Sequence, residues 1–228
     1  MVVASTSIVI VVAVALGIGW LASHRSRTVT YSMSGALTGV DLRLSSGQAV
    51  IVGTTSGPLQ VRRVDDYAFG RVARERRYVA NGVLYISSAC PKIVLGSCSA
   101  SYELDVPESV ALDVQTVAGD VRVTGFDGDA AIATRSGSVD VEAYCGLDLS
   151  ARSDAGNLHV ATACAPQRLE LVTGSGDAAA LVPPGHYQVA ASSGSGSARV
   201  SGLVRDERAA LTIDVHSSSG SVAVEGGL

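Results

Sequence analysis

Aromatic residues are scarce in this chain: they make up 4% of 228 residues, with one Trp and two Phe. An interior built on rings is therefore excluded, and the apolar share falls to Val, Ala, Leu and Ile, which suit a narrow core of β-branched and small side chains. Lysine is scarcer still, Lys92 being the single one among 17 basic residues. Charge is thin as a whole, a formal −4 without an acidic tail, which argues against nucleic acid as a partner. The chain has no G-K-[ST] to reach phosphates, no calcium-binding nonapeptide repeat and no C-x2-C spacing for zinc. Its histidines, His24, His159, His186 and His216, are scattered, and no Ser, His and Asp set can be nominated. No catalytic residue, cofactor or metal is expected.

What is present begins with a hydrophobic run. Val2 to Ala22 is apolar apart from Ser5, Thr6, Ser7, Gly17 and Gly19, and about 20 such residues, at ~1.5 Å each, cross a hydrocarbon layer of ~30 Å as a helix. Trp20 suits the interface, and His24, Arg25 and Arg27 end the run. The expectation is a transmembrane helix over 1–22, a juxtamembrane linker over 23–34 and a β-domain over 35–228, in preference to a buried core helix. Basic flanks on the C-terminal side alone would place the domain in the cytoplasm. The abrupt apolar start, read as an incorrectly chosen start codon that leaves out a basic n-region, and the cysteine spacing argue for the opposite side, so a single-pass membrane protein with an extracytoplasmic domain is expected. Ala22-Ser23 is small enough for cleavage, although the run exceeds the usual h-region of ~7 to 15 residues.

From Leu112 onward a unit recurs: Gly, small polar, apolar, any, apolar. Its copies are Gly119-Asp120-Val121-Arg122-Val123, Gly137-Ser138-Val139-Asp140-Val141, Gly156-Asn157-Leu158-His159-Val160, Gly196-Ser197-Ala198-Arg199-Val200 and Gly220-Ser221-Val222-Ala223-Val224, with a weaker one at Gly176-Asp177. The glycines are 18, 19, 20, 20 and 24 residues apart, and earlier relics start at Gly57 and Gly82. A second alternating run precedes most of these glycines, as in Leu112-Asp113-Val114, Leu147-Asp148-Leu149, Leu169-Glu170-Leu171, Tyr187-Gln188-Val189 and Ile213-Asp214-Val215. Each period thus holds two short strands with one apolar face, turned at a glycine. One period cannot close a core, but stacking periods at ~4.8 Å pairs each strand with its counterparts above and below. An all-β, right-handed parallel β-helix or β-solenoid of 18–24-residue coils is expected, with corner insertions at Pro183-Pro184-Gly185 and Asp206-Glu207-Arg208. An antiparallel β-sandwich is the alternative.

Residues 62–105 break the period and carry Arg62, Arg63, Arg71, Arg74, Arg76 and Arg77 against Asp65, Asp66 and Glu75. They read as longer, partly paired strands forming the polar end that such a stack needs. The arginines are a possible interaction surface for anionic headgroups, acidic glycans or a partner protein; a solvated face with internal Arg-Asp pairs is the plainer reading.

Four cysteines form two pairs, Cys90 with Cys98 and Cys145 with Cys164. The second pair is 19 residues apart, one period, so stacking brings the two residues within disulfide range. Disulfides are expected for both pairs, against free thiols or a zinc site. Asp113, Asp148 and Glu170 are expected outward at one strand position, where a carbohydrate-active enzyme would use them and where a solubilising face is the plainer reading. The row Asp120, Ser138, Asn157, Asp177, Ser197, Ser221 reads as turn residues bonding local backbone. His159 is expected in one outward ladder with Arg122, Asp140 and Arg199.

Thr54-Thr55-Ser56-Gly57-Pro58-Leu59-Gln60-Val61 and Thr134-Arg135-Ser136-Gly137-Ser138-Val139-Asp140-Val141 follow a T-x-S-G-x-V-x-V style, and Cys90-Pro91 to Cys98 is followed by Tyr102-Glu103-Leu104-Asp105-Val106-Pro107. In these features, over about Leu42 to Glu225, the chain resembles the bacterial putative-adhesin domain family of unknown function. The resemblance implies a right-handed β-helix-like domain in the cell envelope and brings no catalytic residues. The functional expectation is a non-enzymatic, envelope-anchored adhesin-like protein meeting envelope glycans or surface proteins, with a carbohydrate-active β-helix enzyme or an accessory module of an envelope-stress system as alternatives.

Overall fold

Alternation of apolar and polar residues produces strands throughout: the computed structural model describes residues 24–92, 96–108 and 110–227 and contains no helix among them. None of the described residues therefore forms a helix able to cross a membrane, and the helix expected over 1–22 lies outside them.

The chain opens with β1 (Arg25–Met33), β2 (Gly39–Leu44), β3 (Ala49–Thr54), β4 (Leu59–Tyr67), β5 (Arg74–Ala80), β6 (Val83–Ala89) and β7 (Cys98–Pro107). The regular part follows as β8 (Ala111–Ala118), β9 (Val121–Thr124), β10 (Ala130–Ser136), β11 (Val139–Tyr144), β12 (Asp148–Ala155), β13 (Leu158–Thr162), β14 (Arg168–Ser175) and β15 (Ala178–Val182). It closes with β16 (His186–Ser193), β17 (Ala198–Ser201), β18 (Val204–Arg205), β19 (Thr212–Ser219) and β20 (Val222–Gly226). Arg25–Met33 is thus an antiparallel strand on β4 where a linker over 23–34 was expected. Its Val29, Tyr31 and Met33 alternate with exposed polar residues, so it covers the edge of the sheet.

Two ten-stranded sheets result, β1-β4-β7-β3-β9-β11-β13-β15-β20-β17 and β18-β16-β19-β14-β12-β10-β8-β2-β6-β5. Each period sends one strand to each sheet, and coils stack in parallel with like positions paired. Val139 lies between Val121 and Leu158, and Ile132 between Val114 and Ala151. Antiparallel pairing is confined, among the described residues, to β1 on β4, β4 on β7 and β5 on β6. The sheets are therefore mixed, and the antiparallel sandwich does not form. The relics misled in part: Gly57 leads into β4, which runs antiparallel to β7, and Gly82 leads into β6 of the second sheet.

The inward positions make one apolar ladder. Val121, Val123, Val139, Val141, Leu158 and Val160 from the first sheet and Leu112, Val114, Ile132, Leu149, Leu169 and Leu171 from the second are at most 2% exposed. At roughly 1.5 to 3 kcal/mol per buried aliphatic side chain, this ladder is the main stabilising contribution. The few rings fill corners: Tyr144 donates its hydroxyl to the carbonyls of Gly128 at 2.9 Å and Asp148 at 2.7 Å, and Tyr187 to that of Pro183 at 2.9 Å.

At the corners the glycines stack on one another. Gly137 has φ +150, and a Cβ built on it would lie 2.3 Å from the carbonyl oxygen of Gly119. No side chain fits there, which is why glycine marks every period. Beneath the column, buried hydroxyls donate to glycine carbonyls of the neighbouring coil, Ser153 to Gly137 at 3.1 Å, Thr173 to Gly156 at 2.9 Å and Ser217 to Gly176 at 2.7 Å, and the half-buried Ser193 donates to Gly220 at 2.7 Å. The small polar row beside the glycines was expected to bond local backbone and instead links coils. Asp120 Oδ1 accepts the Ser138 N–H at 2.8 Å, Asn157 Oδ1 that of Asp177 at 2.9 Å, and Asp177 Oδ1 that of Ser221 at 2.7 Å. Parallel stacking places like residues close together, so the next coil competes successfully with the local turn.

Chain order and stack order part at both ends. β2 lies between β6 and β8 and β3 between β7 and β9, while β19 lies between β14 and β16 and β20 between β15 and β17. The coils β2–β3 and β19–β20 are therefore interior, and the ends of the stack are built by later or earlier segments.

Candidate functional site

The six arginines expected to form one surface are divided by the fold. Arg62 is exposed and pairs across strands, its Nη1 2.6 Å from Glu103 Oε2 on β7. Arg63 points inward with its side chain 7% exposed. It donates to Asp65 Oδ1 at 2.7 Å, to Glu75 Oε2 at 2.6 Å and to the Ala73 carbonyl at 2.7 Å, and its guanidinium sits 5.8 Å from the centre of the Tyr102 ring. Arg77 stacks 3.7 Å from the centre of the Tyr31 ring, whose hydroxyl donates to Glu75 Oε1 at 2.9 Å. Burial pushes the Tyr31 hydroxyl up to about 12, opposed by Arg77 and reinforced by Glu75. This buried network ties β1, β4, β5 and β7 together where the apolar ladder gives out, so Arg63 and Arg77 hold the cap in place. Arg62 and Arg63 thus pair with acids, whereas Arg77 stacks on a ring.

Two of the remaining three, Arg71 and Arg74, lie with other basic residues at one corner. Register places Arg25 opposite Tyr67, Tyr67 opposite Cys98, and Arg74 opposite Ala89, the neighbour of Cys90. The Cys90–Cys98 disulfide, with Cα atoms 5.9 Å apart, joins the end of β6 in the second sheet to the start of β7 in the first. Around it lie Arg25, Arg71, Arg74 and Lys92, none of which has an acidic partner among the described residues. Between β4 and β5, Phe69 stands 51% exposed with φ 55. An aromatic residue in the left-handed region costs on the order of 1 kcal/mol, a cost that recurs at functional loops. Arg76 lies further along β5 opposite Ser87, next to the Tyr78–Tyr85 stack with centroids 4.9 Å apart. Sequence reading missed Arg25 and Lys92 because strand register and the Cys90–Cys98 disulfide bring them to this corner, and it passed over Phe69, two residues from Arg71, because a lone ring carries no pattern.

The second disulfide is the one the period implied. Cys145 and Cys164 follow β11 and β13, successive strands of the first sheet, with Cα atoms 4.6 Å apart. The outer ladder Arg122, Asp140, His159, Arg199 also forms as expected, with Arg122 Nε 3.4 Å from Asp140 Oδ2.

The acidic row needs correction. Asp113 and Glu170 share a row, but β12 contributes Ser150 to it, and Asp148 lies two residues away opposite Arg168. The inward pair of that strand is Leu149 and Ala151, while Leu147 is 60% exposed, so counting Leu147 as core shifted the strand by two. Glu170 is ion-paired with Arg152. On the same outer face Ser192 Oγ and His216 Nδ1 are 2.9 Å apart, a pair that sequence distance concealed. Among the described residues no group of three or more His, Cys, Asp or Glu could hold a metal.

The family described as Toastrack DUF4097 matches residues 39–225, from the start of β2 into β20. The chain belongs to the Toastrack family. The match takes in the stacked glycine corners and the hydroxyls that bond them across coils. A "putative cell adhesion protein" from Clostridium sporogenes ATCC 15579, known as a crystal structure, superposes on this Toastrack chain with TM-score 0.50 and 10% identity, over 89% of this chain and 100% of its own. A "putative adhesin" from Bacteroides fragilis NCTC 9343 gives TM-score 0.43 and 13% identity, over 89% and 97%. The first likeness shows the fold. No curated protein matches the chain.

Proposed function

We propose that this Toastrack protein is a non-enzymatic, adhesin-like module of the cell envelope, held by a single-pass helix over 1–22 with its β-domain outside the cytoplasm. The observation that carries the anchored reading is the position of Arg25, and the two disulfides carry the choice of side. The chain enters the fold at the corner that gathers Arg71, Arg74, Lys92 and the half-exposed Phe69 around a disulfide. A segment anchored in a bilayer would set this corner among anionic headgroups, where each nearby Arg or Lys contributes about 1 kcal/mol and an aromatic ring suits the interface. The stack then extends away from the membrane, presenting its polar outer ladders to envelope glycans or surface proteins. Right-handed coils, the hand of nearly all parallel crossovers, accompany this reading. Two disulfides suit an oxidising compartment. The test is labelling of intact cells with a membrane-impermeant thiol reagent, before and after reduction. Labelling only after reduction is expected; thiols reached only after lysis would place the domain in the cytoplasm and defeat the proposal.

A further inference from the structure

The two ends of the stack are finished differently. At the N-terminal end β1 and β5 close the sheets with antiparallel, charge-rich strands. At the other end β17 is the last strand of its sheet, with β20 on one side and no strand on the other among the described residues. In the second sheet β18 pairs only with His186 and Tyr187 of β16, leaving Gln188–Ser193 as an open edge. Such edges are normally blunted by Pro, Lys, a bulge or an inward charge. Neither edge carries these, and the protection present is slight: β17 is short with one outward charge at Arg199, and β18 covers only the first two residues of β16.

The ladder between these edges stays apolar to its end. Val189 pairs with Ile213, Ala191 with Val215, Ala198 with Val222 and Val200 with Val224. Ile213, Val215, Val222 and Val224 are at most 1% exposed, whereas their partners in the last coil are half-buried or exposed for want of a coil above them. The side chains become smaller but not polar, so this end is tapered without being capped.

We infer that this open end is an interaction surface for a second copy of the same chain, joined end to end about a two-fold axis. An extended peptide could pair with β16 or with β17, but it would leave the other edge and half of the ladder exposed. Satisfying all three needs two strands at the sheet spacing with apolar residues between them, which is what the same end of another copy offers. About a two-fold normal to the sheets, β17 meets the second copy's β17 and β16 its β16, both antiparallel. At ~3.3 Å per residue and ~10 Å between sheets, with side chains included, the faces bury roughly 1,000 Å² in all, the lower bound for a stable interface.

The test uses the full chain with one introduced thiol, the four native cysteines being disulfide-bonded. Arg199→Cys should cross-link two copies under mild oxidation, whereas Arg122→Cys, at the same ladder position in a central coil, should not. Sedimentation should show a dimer, and an inward charge from Val189→Lys should weaken it at least tenfold while the melting transition stays within a few degrees. Because the cross-link is read with Val189 and Val200 native, the inference remains testable if the lysine variant fails to fold. A chain that is monomeric at ~100 μM, or equal cross-linking from Arg199→Cys and Arg122→Cys, would overturn it. A monomer whose β16 and β17 amides are slow to exchange in cell membranes would also overturn it, by assigning the edge to a strand of another protein.

Discussion

Thr173 Oγ1 lies 2.9 Å from the carbonyl oxygen of Gly156, one coil away. This bond turns the most repetitive part of the sequence into a vertical fastening. The exception in the series is Thr134, whose buried hydroxyl has no partner among the described residues; Thr116 instead donates to Gly119 at 3.1 Å. Replacing Thr173 by Val should therefore destabilise by about 1 to 2 kcal/mol, leaving a carbonyl buried without its donor. Thr134→Val should be neutral or slightly stabilising. Urea unfolding of the two variants side by side checks the difference, and equal losses would remove the fastening role.

Arg63 and Arg62 are neighbours in sequence with opposite environments. Removing Arg63 leaves the buried carboxylates of Asp65 and Glu75 without their shared partner, so Arg63→Ala should cost about 3 to 5 kcal/mol. The exposed Arg62–Glu103 pair should contribute less than about 1 kcal/mol, and Arg62→Ala should barely move the transition. Thermal unfolding distinguishes them.

Strongly alkaline pH should weaken the fold. Burial raises the hydroxyls of Tyr31, Tyr102 and Tyr144 above their ordinary value, with Tyr31 at about 12. The folded state thus holds the neutral phenol more firmly than the unfolded chain does. This stability is fully present below pH ~10, where an unfolded tyrosine titrates, and is lost as pH rises toward the folded values. Urea midpoints should fall between pH ~10 and ~12, and Tyr31→Phe should reduce the fall. Urea midpoints that stay level across this range, or a fall that Tyr31→Phe leaves unchanged, would contradict it.

The basic corner predicts a lipid effect. In nanodiscs rich in phosphatidylglycerol, the full chain should protect the 68–74 loop from hydrogen exchange, and in neutral lipid it should not. Arg71→Glu with Arg74→Glu should abolish the protection while leaving the melting temperature unchanged, since neither residue has an acidic partner among the described residues. Protection that persists in the double variant would detach the corner from the headgroups.

Legibility varied with how local the signal was. Two strands per period and the Cys145–Cys164 pair could be read directly, because parallel stacking repeats a sequence distance as a spatial one. The corner at Gly47 was missed, although Gly47 stacks under Gly119, because Gln48 stands where the other copies carry a small Asp, Ser or Asn. The acid row was misread for a related reason: Ala151 is core and Leu147 is not, and hydrophobicity alone ranks them the other way. Of the basic corner only Arg71 and Arg74 were nominated, since the others reach it through antiparallel pairings over distances that no period encodes.

Composition and periodicity by themselves determined an all-β chain with a narrow aliphatic core, glycine corners and coils that can only be stacked, because a two-strand unit cannot bury its own apolar face. Tertiary structure decided everything that depends on which coil lies next to which. It placed β2–β3 and β19–β20 inside the stack, drew Arg63 inward, set Arg25 and Arg74 on the two sheets that the Cys90–Cys98 disulfide joins, and left the edges of β16 and β17 open. A repeat fixes its own shape from its own residues, but like coils fit one another almost equally well. The order of stacking, and so the character of the two ends, follows from charge pairs, disulfides and strand edges that meet only in the folded chain.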